Sequence, residues 1–366
     1  MIILLISNIG ASLYKFRKEL IEKLIDGNNT VYVSFPSDEY IPELQQLGCE
    51  YIEINFARRE KNIINDIKLI FGYKEIIKKI KPSIVLTYNI KPNIYGGMVC
   101  KFLNIPCIAN ITGLGTAVEN AGIIQKITIW LYKFALKKSN CVFFQNEANF
   151  SFCIDKKIVN KNIKTQLVPG SGVNLCFHKL EEYPIDDEII SFVFIGRVMK
   201  DKGINELLNA ADRIKKIYPN VEFNIIGGFD EDYSQLIQEY EDKSIIKYHG
   251  EQKDVREFIK NSHATIHPSY HEGLSNVLLE SAAAGRPVLA SNVAGCKETF
   301  DDGISGFGFE AKNAESLYET IIKFINLPHE QKVKMGKAGR EKVEREFDRN
   351  IVVSKYMEEI REVTKT

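Results

Sequence analysis

The chain has 366 residues, with 48 Lys plus Arg against 48 Asp plus Glu, 45% hydrophobic and 26% charged residues. These proportions fit soluble globular proteins, exclude disordered, collagen-like and integral membrane classes, and at this length suit about two domains. The zero net charge argues against a whole-protein polyanion binder, so no nucleic-acid partner is expected, but residues 1–172 hold 22 basic against 14 acidic side chains while residues 173–366 hold 26 against 34. A basic first half is expected to meet something anionic, a membrane surface or a phosphorylated substrate, with ordinary solvated helix faces as the alternative.

The sequence opens on the apolar run Met1–Ile6 with no basic stretch before it, so a secretory signal is not predicted and a cytoplasmic location is. Short β-branched runs then alternate with longer amphipathic stretches, the pattern of βα units around parallel sheets. Strands are predicted near 2–7, 31–35, 84–88, 106–111, 141–145 and 165–168, with helices over 13–26, 60–81 and 122–138. Turn formers at Val168-Pro169-Gly170-Ser171-Gly172 and the polar stretch Glu181–Glu188 mark a boundary, giving expected domains 1–172 and 173–349. The second half repeats the rhythm, with strands near 191–195, 221–226, 245–248, 264–267 and 287–291. Residues 350–366 read as a charged amphipathic helix expected to pack back on the first domain. Two doubly wound α/β sheets, one per half, are the simplest account. Seven cysteines without a C-x-x-C pair suit a reduced compartment and small core positions.

Two segments carry chemistry. His267-Pro268-Ser269-Tyr270-His271-Glu272-Gly273-Leu274-Ser275-Asn276 joins a strand end to a helix start, where unsatisfied backbone N–H groups can receive an anion. Asn276 and Glu280, four apart, share a helical face, and Glu272 sits ahead of the helix. Carboxylates beside a phosphate repel it, so the natural partners of Glu272 and Glu280 are sugar or ribose hydroxyls. In Gly196-Arg197-Val198-Met199-Lys200-Asp201-Lys202-Gly203, Arg197 and Lys202 follow another strand and suit a diphosphate.

The spacing Glu272-x7-Glu280 with Gly196-Arg197-x4-Lys202-Gly203 resembles family 4 of the retaining glycosyltransferases. The strings Ile9-Gly10-Ala11-Ser12, Lys91-Pro92-Asn93, Thr112-Gly113-Leu114-Gly115 and Phe144-Gln145-Asn146 resemble bacterial members that extend polyprenyl-diphosphate-linked sugars in glycan, O-antigen or capsule synthesis. The resemblance implies two Rossmann-like domains facing a cleft, the GT-B architecture, with a nucleotide sugar on the second and the acceptor on the first. It implies that Arg197 and Lys202 hold the donor diphosphate, that Glu280 binds ribose, and that Glu272 contacts the transferred sugar. Gly196, Gly273, Leu274, Ser275 and Asn276 complete the donor cradle, Gly10 lets the backbone approach the donor phosphates, and Tyr248–Val255 resembles the loop that meets the base. Tyr14, Arg17, Lys91 and Thr112 are the expected acceptor contacts. Thr112-Gly113 stands where many relatives have a His, and no His precedes His178.

The resemblance further implies transfer of a hexose or N-acetylhexosamine, GalNAc first, from a UDP-sugar by front-face displacement, with no enzymic nucleophile. The resemblance implies neither metal nor other cofactor, and Pro268 prevents His263, His267 and His271 from sharing one helical face. Peripheral association with the inner face of an anionic membrane is expected from the basic residues near 60–81: Arg58, Arg59, Lys61, Lys68, Lys74, Lys78, Lys79 and Lys81. The helix 122–138 has two readings. As a core helix, the first choice, it buries Ile127, Trp130, Leu131 and Phe134; as an interfacial helix it turns Trp130 and Tyr132 to headgroups. Competing functions are transfer to a soluble acceptor, nucleotide-sugar epimerisation without an acceptor, and a non-catalytic nucleotide-sugar sensor.

Overall fold

The computed structural model describes residues 1–56, 62–114, 122–185 and 189–365. Arg58, Arg59 and Lys61 of the basic segment, Gly115, and residues 186–188 of the polar stretch lie outside the described residues. Met1–Ser171 with Arg349–Thr366 form one compact unit, and Gly172–Asp348 form the other.

In the first unit, strands β1 (Ile2–Ile6), β2 (Thr30–Phe35), β3 (Glu50–Glu53), β4 (Ile84–Tyr88), β5 (Cys107–Ile111), β6 (Cys141–Phe144) and β7 (Lys164–Leu167) make a parallel sheet in the order β3-β2-β1-β4-β5-β6-β7. Strands β4, β5 and β6 are buried at every position and largely apolar, as helices on both faces require. The strand order reverses between β1 and β4, and the crevice at their carboxyl ends is where ligands bind in such sheets. There the Asn89 side chain, on a residue with φ of 72°, accepts from the Ser7 hydroxyl at 3.1 Å and the Asn8 amide at 3.2 Å.

The helix Arg349–Lys365 belongs to this unit. Val352, Val353, Tyr356, Ile360 and Val363 pack with Leu13, Leu20, Ile21 and Leu24 of the helix Gly10–Asp26, each burial contributing about 1.5–3 kcal/mol. Tyr356 stacks on Phe143 at 4.3 Å, and Arg349 pairs with Glu19 at 2.9 Å.

In the second unit, β8 (Ile190–Ile195), β9 (Val221–Ile226), β10 (Lys247–Tyr248), β11 (Ala264–His267), β12 (Val288–Ser291) and β13 (Gly306–Phe309) run parallel in the order β10-β9-β8-β11-β12-β13. The reversal lies between β8 and β11, registered through Phe192 opposite Ala264 and Val193 opposite Thr265. The Gly196–Gly203 and Pro268–Ser275 segments leave the carboxyl ends of these two strands, so the topology makes neighbours of motifs far apart in sequence.

Two strands were not anticipated. β3, Glu-Tyr-Ile-Glu, is a short edge strand with charged ends. β13, Gly-Phe-Gly-Phe, hides behind glycines of low strand propensity, and Gly306 is needed because a Cβ would collide with the Val288 carbonyl. Among the described residues no helix is long and apolar enough to cross a membrane.

Candidate active site

At the reversal point of the second unit the two loops are stitched together by backbone. The Tyr270 amide donates to the Asp201 carbonyl at 2.9 Å, and Gly203, with φ of 73°, sits where a side chain would strike the Pro268 carbonyl. Only glycine fits that approach, which leaves Lys202 directly beside the Glu272 loop.

Lys202 Nζ pairs with Glu272 Oε1, and both side chains are over four-fifths buried. The same Oε1 lies 2.9 Å from His267 Nε2, which is also 3.2 Å from Ser275 Oγ. Burial alone would push the Glu272 carboxyl up; the Lys202 ammonium and the His267 hydrogen bond outweigh it and hold the group well below the usual carboxylate range. Gly273 and Leu274 follow in a backbone segment packed against Gly295, whose carbonyl accepts from the Ser275 amide at 2.7 Å. Ser275 caps the helix Asn276–Ala283. His267 Nδ1 and Asn276 Oδ1 are buried without hydrogen-bond partners, so this cluster holds polar capacity that its own side chains do not fill.

Arg197 leaves the same strand end but pairs with Asp230, next to the Val198–Phe229 bridge, and its side chain is 45% exposed. The Gly196 amide donates to the Ile226 carbonyl at 2.9 Å. One turn into its helix, Glu280 lies 4.0 Å from His178 Nε2, and His178 lines a cavity of about 370 Å³ with Phe177, Asp254 and Arg256. The second unit thus joins Lys202, Glu272, His267 and Ser275 in one cluster, with Asn276 next in sequence and Arg197 and Glu280 in separate pairs. His267, Asp230 and His178 were missed as partners; His267, five residues before Glu272 at a strand end, was the one with a readable signal.

The expected first-unit contacts do not form one group. Arg17 is 4% exposed, stacked near Tyr88 and Tyr356, with Nη1 donating to the Phe16 carbonyl at 2.7 Å, so it is a packing residue here and not an exposed acceptor contact. Lys91 and Tyr95 both hold Asp66, at 3.0 and 2.7 Å. Tyr14 lies against the Tyr40 ring, and half-buried Thr112 follows β5. The Gly10 amide donates to Asp38 at 2.6 Å, and the Phe35 ring and Asp38 fill the space a side chain would take. That glycine therefore serves an internal contact. Asn93 of the Lys91-Pro92-Asn93 string is buried in a π-helical turn (Pro92–Gly96): it accepts from Thr87 at 2.7 Å and donates to the Asn110 carbonyl at 2.8 Å.

Residues 178–342 match the model for glycosyl transferases group 1, and residues 2–146 match the glycosyl transferase 4-like model. The chain is 27% identical, over 96% of both sequences, to the N,N'-diacetylbacillosaminyl-diphospho-undecaprenol alpha-1,3-N-acetylgalactosaminyltransferase of Campylobacter jejuni. It is 25% identical, over 72% of both, to the UDP-Gal:alpha-D-GlcNAc-diphosphoundecaprenol alpha-1,3-galactosyltransferase of Escherichia coli. Among solved structures, the sucrose-phosphate synthase of Thermosynechococcus elongatus superposes with a TM-score of 0.81 over 99% of both chains at 21% identity. HepE of Anabaena, solved with UDP and glucose, gives 0.80 over 98% of this chain and 99% of its own at 14% identity. With the two models matching successive halves and the fold shared along the whole chain, this protein is a glycosyltransferase and belongs to family 4.

Proposed function

We propose that the protein transfers a hexose or N-acetylhexosamine, GalNAc first, from a UDP-sugar to a polyprenyl-diphosphate-linked sugar, with retention of configuration and without a metal. The observation that carries the reading is the buried Lys202–Glu272 pair at the reversal point of the second sheet, with Arg197 at the same strand end. Both cations already hold carboxylates, so an arriving diphosphate exchanges charge for charge. Glu272, released from Lys202, turns to sugar hydroxyls while His267 keeps it oriented. Glu280 takes the ribose.

The bond from the anomeric carbon to the diphosphate oxygen breaks as the acceptor oxygen bonds to that carbon on the same face. The acceptor proton passes to the departing phosphate oxygen, and Arg197 and Lys202 stabilise the charge that develops there. The acceptor class is drawn from the names of the Campylobacter and Escherichia relatives, and the uridine donor from the latter and from the ligand in HepE.

The test is a mass-spectrometric panel of UDP-sugars against synthetic short-chain polyprenyl-diphosphate sugars, in EDTA, with the product anomer read by NMR. A new α-linked sugar on the lipid-linked acceptor is expected. Isomerised donor without acceptor, transfer only to free saccharides, or an inverted product would overturn the reading.

A further inference from the structure

The helix Ile123–Leu136 turns the unexpected side to water. Thr128, Tyr132, Ala135 and Leu136 face the core, while Ile123, Ile124, Ile127 and Trp130 are 77%, 51%, 52% and 63% exposed. Neither sequence reading survives whole: Trp130 and Ile127 are not core, and Tyr132 is buried. Helix Ile63–Ile80 does the same in its first half, with Ile63, Ile64, Ile67 and Phe71 between 48% and 77% exposed. Four exposed Ile, Phe or Trp side chains on each of two helices are more than the scattered singles of an ordinary surface.

Topology brings the two sets to one edge. A helix that follows a parallel strand begins at the carboxyl end of its sheet, so both apolar first turns stand at the edge where the crevice between β1 and β4 opens. Both helices pack on the same face of that sheet, flanking the segment Pro92–Leu103. Farther along these elements, away from that edge, Phe102 is 66% exposed, and a ladder runs from it through Phe134, at 5.9 Å, to Trp130, at 6.1 Å.

Charge follows the apolar residues. Exposed Lys126 and Lys133 share the helical face of Ile123, Ile127 and Trp130, and this helix has no acidic residue. In the other helix the exposed face passes from isoleucines to Lys74, Glu75 and Lys78, with Lys68 and Lys79 also exposed. Aliphatic and indole side chains bordered by lysines match the boundary between acyl chains and anionic headgroups.

We propose that this edge of the first unit docks on an anionic bilayer by inserting the first turns of both helices, with the lysines at headgroup level. The inference deepens the lipid-linked acceptor reading, and rests on it for choosing a bilayer over a second copy of the chain. Docking sets the crevice between β1 and β4 at the lipid surface. It also moves the contact from the basic count near 60–81 to apolar insertion.

Trp130 is the sole tryptophan of the chain and reports directly. The full-length protein is titrated with phosphatidylcholine vesicles with and without phosphatidylglycerol. The expected result is a blue shift of Trp130 emission and quenching by brominated acyl chains, stronger with phosphatidylglycerol. The exposed-site double variant Ile64→Ser/Ile127→Ser is expected to partition about tenfold more weakly, and Lys126→Gln/Lys133→Gln to lose the preference for anionic lipid. Both should turn over a water-soluble short-chain acceptor as the parent does. Vesicle binding with unmoved Trp130 emission, no binding, or a lipid-independent shift that tracks dimer formation in sedimentation would overturn the proposal. Intact docking with no turnover of any lipid-linked acceptor would instead count against the proposed reaction.

Discussion

The two units share one strand order around the reversal point and use its carboxyl edge in opposite ways. In the second unit that edge is lined with paired charges held by a buried histidine; in the first the Ser7, Asn8 and Asn89 amides and hydroxyls stand beside a single Lys91–Asp66 pair, bordered by exposed isoleucines and a tryptophan. Bulk charge runs the other way, with 26 basic against 17 acidic side chains in the first unit and 22 against 31 in the second. Net charge therefore does not locate the phosphate chemistry. In the proposed reaction that role falls to a few cations fixed by loop geometry in an acidic unit, while excess lysines in a basic one mark a surface.

The strongest challenge to that contrast is removal of a fixed cation. Lys202→Ala, and separately Arg197→Ala, should lower kcat by about 10²–10³-fold, with the circular-dichroism spectrum kept; parent-like turnover in either would break the assignment of phosphate chemistry to the second unit.

A second test uses acid. The folded Glu272 carboxyl titrates below its ordinary range, so its stabilisation is in place above that range and is lost progressively as pH falls from it toward the lower folded value. Glu272→Gln should be less stable than the parent by about 2 kcal/mol at neutral pH, with the gap closing below about pH 4. Urea unfolding at both pH values measures this, and a gap independent of pH would mean that the charge pair contributes nothing.

The smallest effect sharpens the other side. Asn93→Ala removes a buried amide that ties the π-helical turn to β4 and β5 and should cost roughly 1–2 kcal/mol, leaving the donor KM unchanged. A raised donor KM would show that this motif reaches the donor site.

How much of this was readable in the sequence depended on the range of the interactions. The βα alternation and the strand-end positions of Arg197, Lys202 and Glu272 follow from periodicity and local turn chemistry, which one strand and its loop encode. Their partners are less legible: Asp230 reaches Arg197 only through the pairing of β8 with β9, whereas His267, five residues before Glu272, lay within local reach. Arg17 and Lys91 were expected as acceptor contacts from the resemblance, and in the fold Arg17 lies against the Tyr88 ring and Lys91 pairs with Asp66, contacts a local string does not encode. The helix Ile123–Leu136 was misjudged for a related reason: apolar residues cover most of its circumference, so composition could not say which side meets the sheet.

The glycine at 203 has a bearing on engineering. Because its backbone lies flush against the Pro268 carbonyl, the lysine loop and the glutamate loop are one transplantable module rather than two. A designer moving this proposed donor site into another Rossmann-like scaffold would have to carry both loops and the spacing of the two strands beneath them. Grafting the lysine alone would deliver a cation with no fixed address.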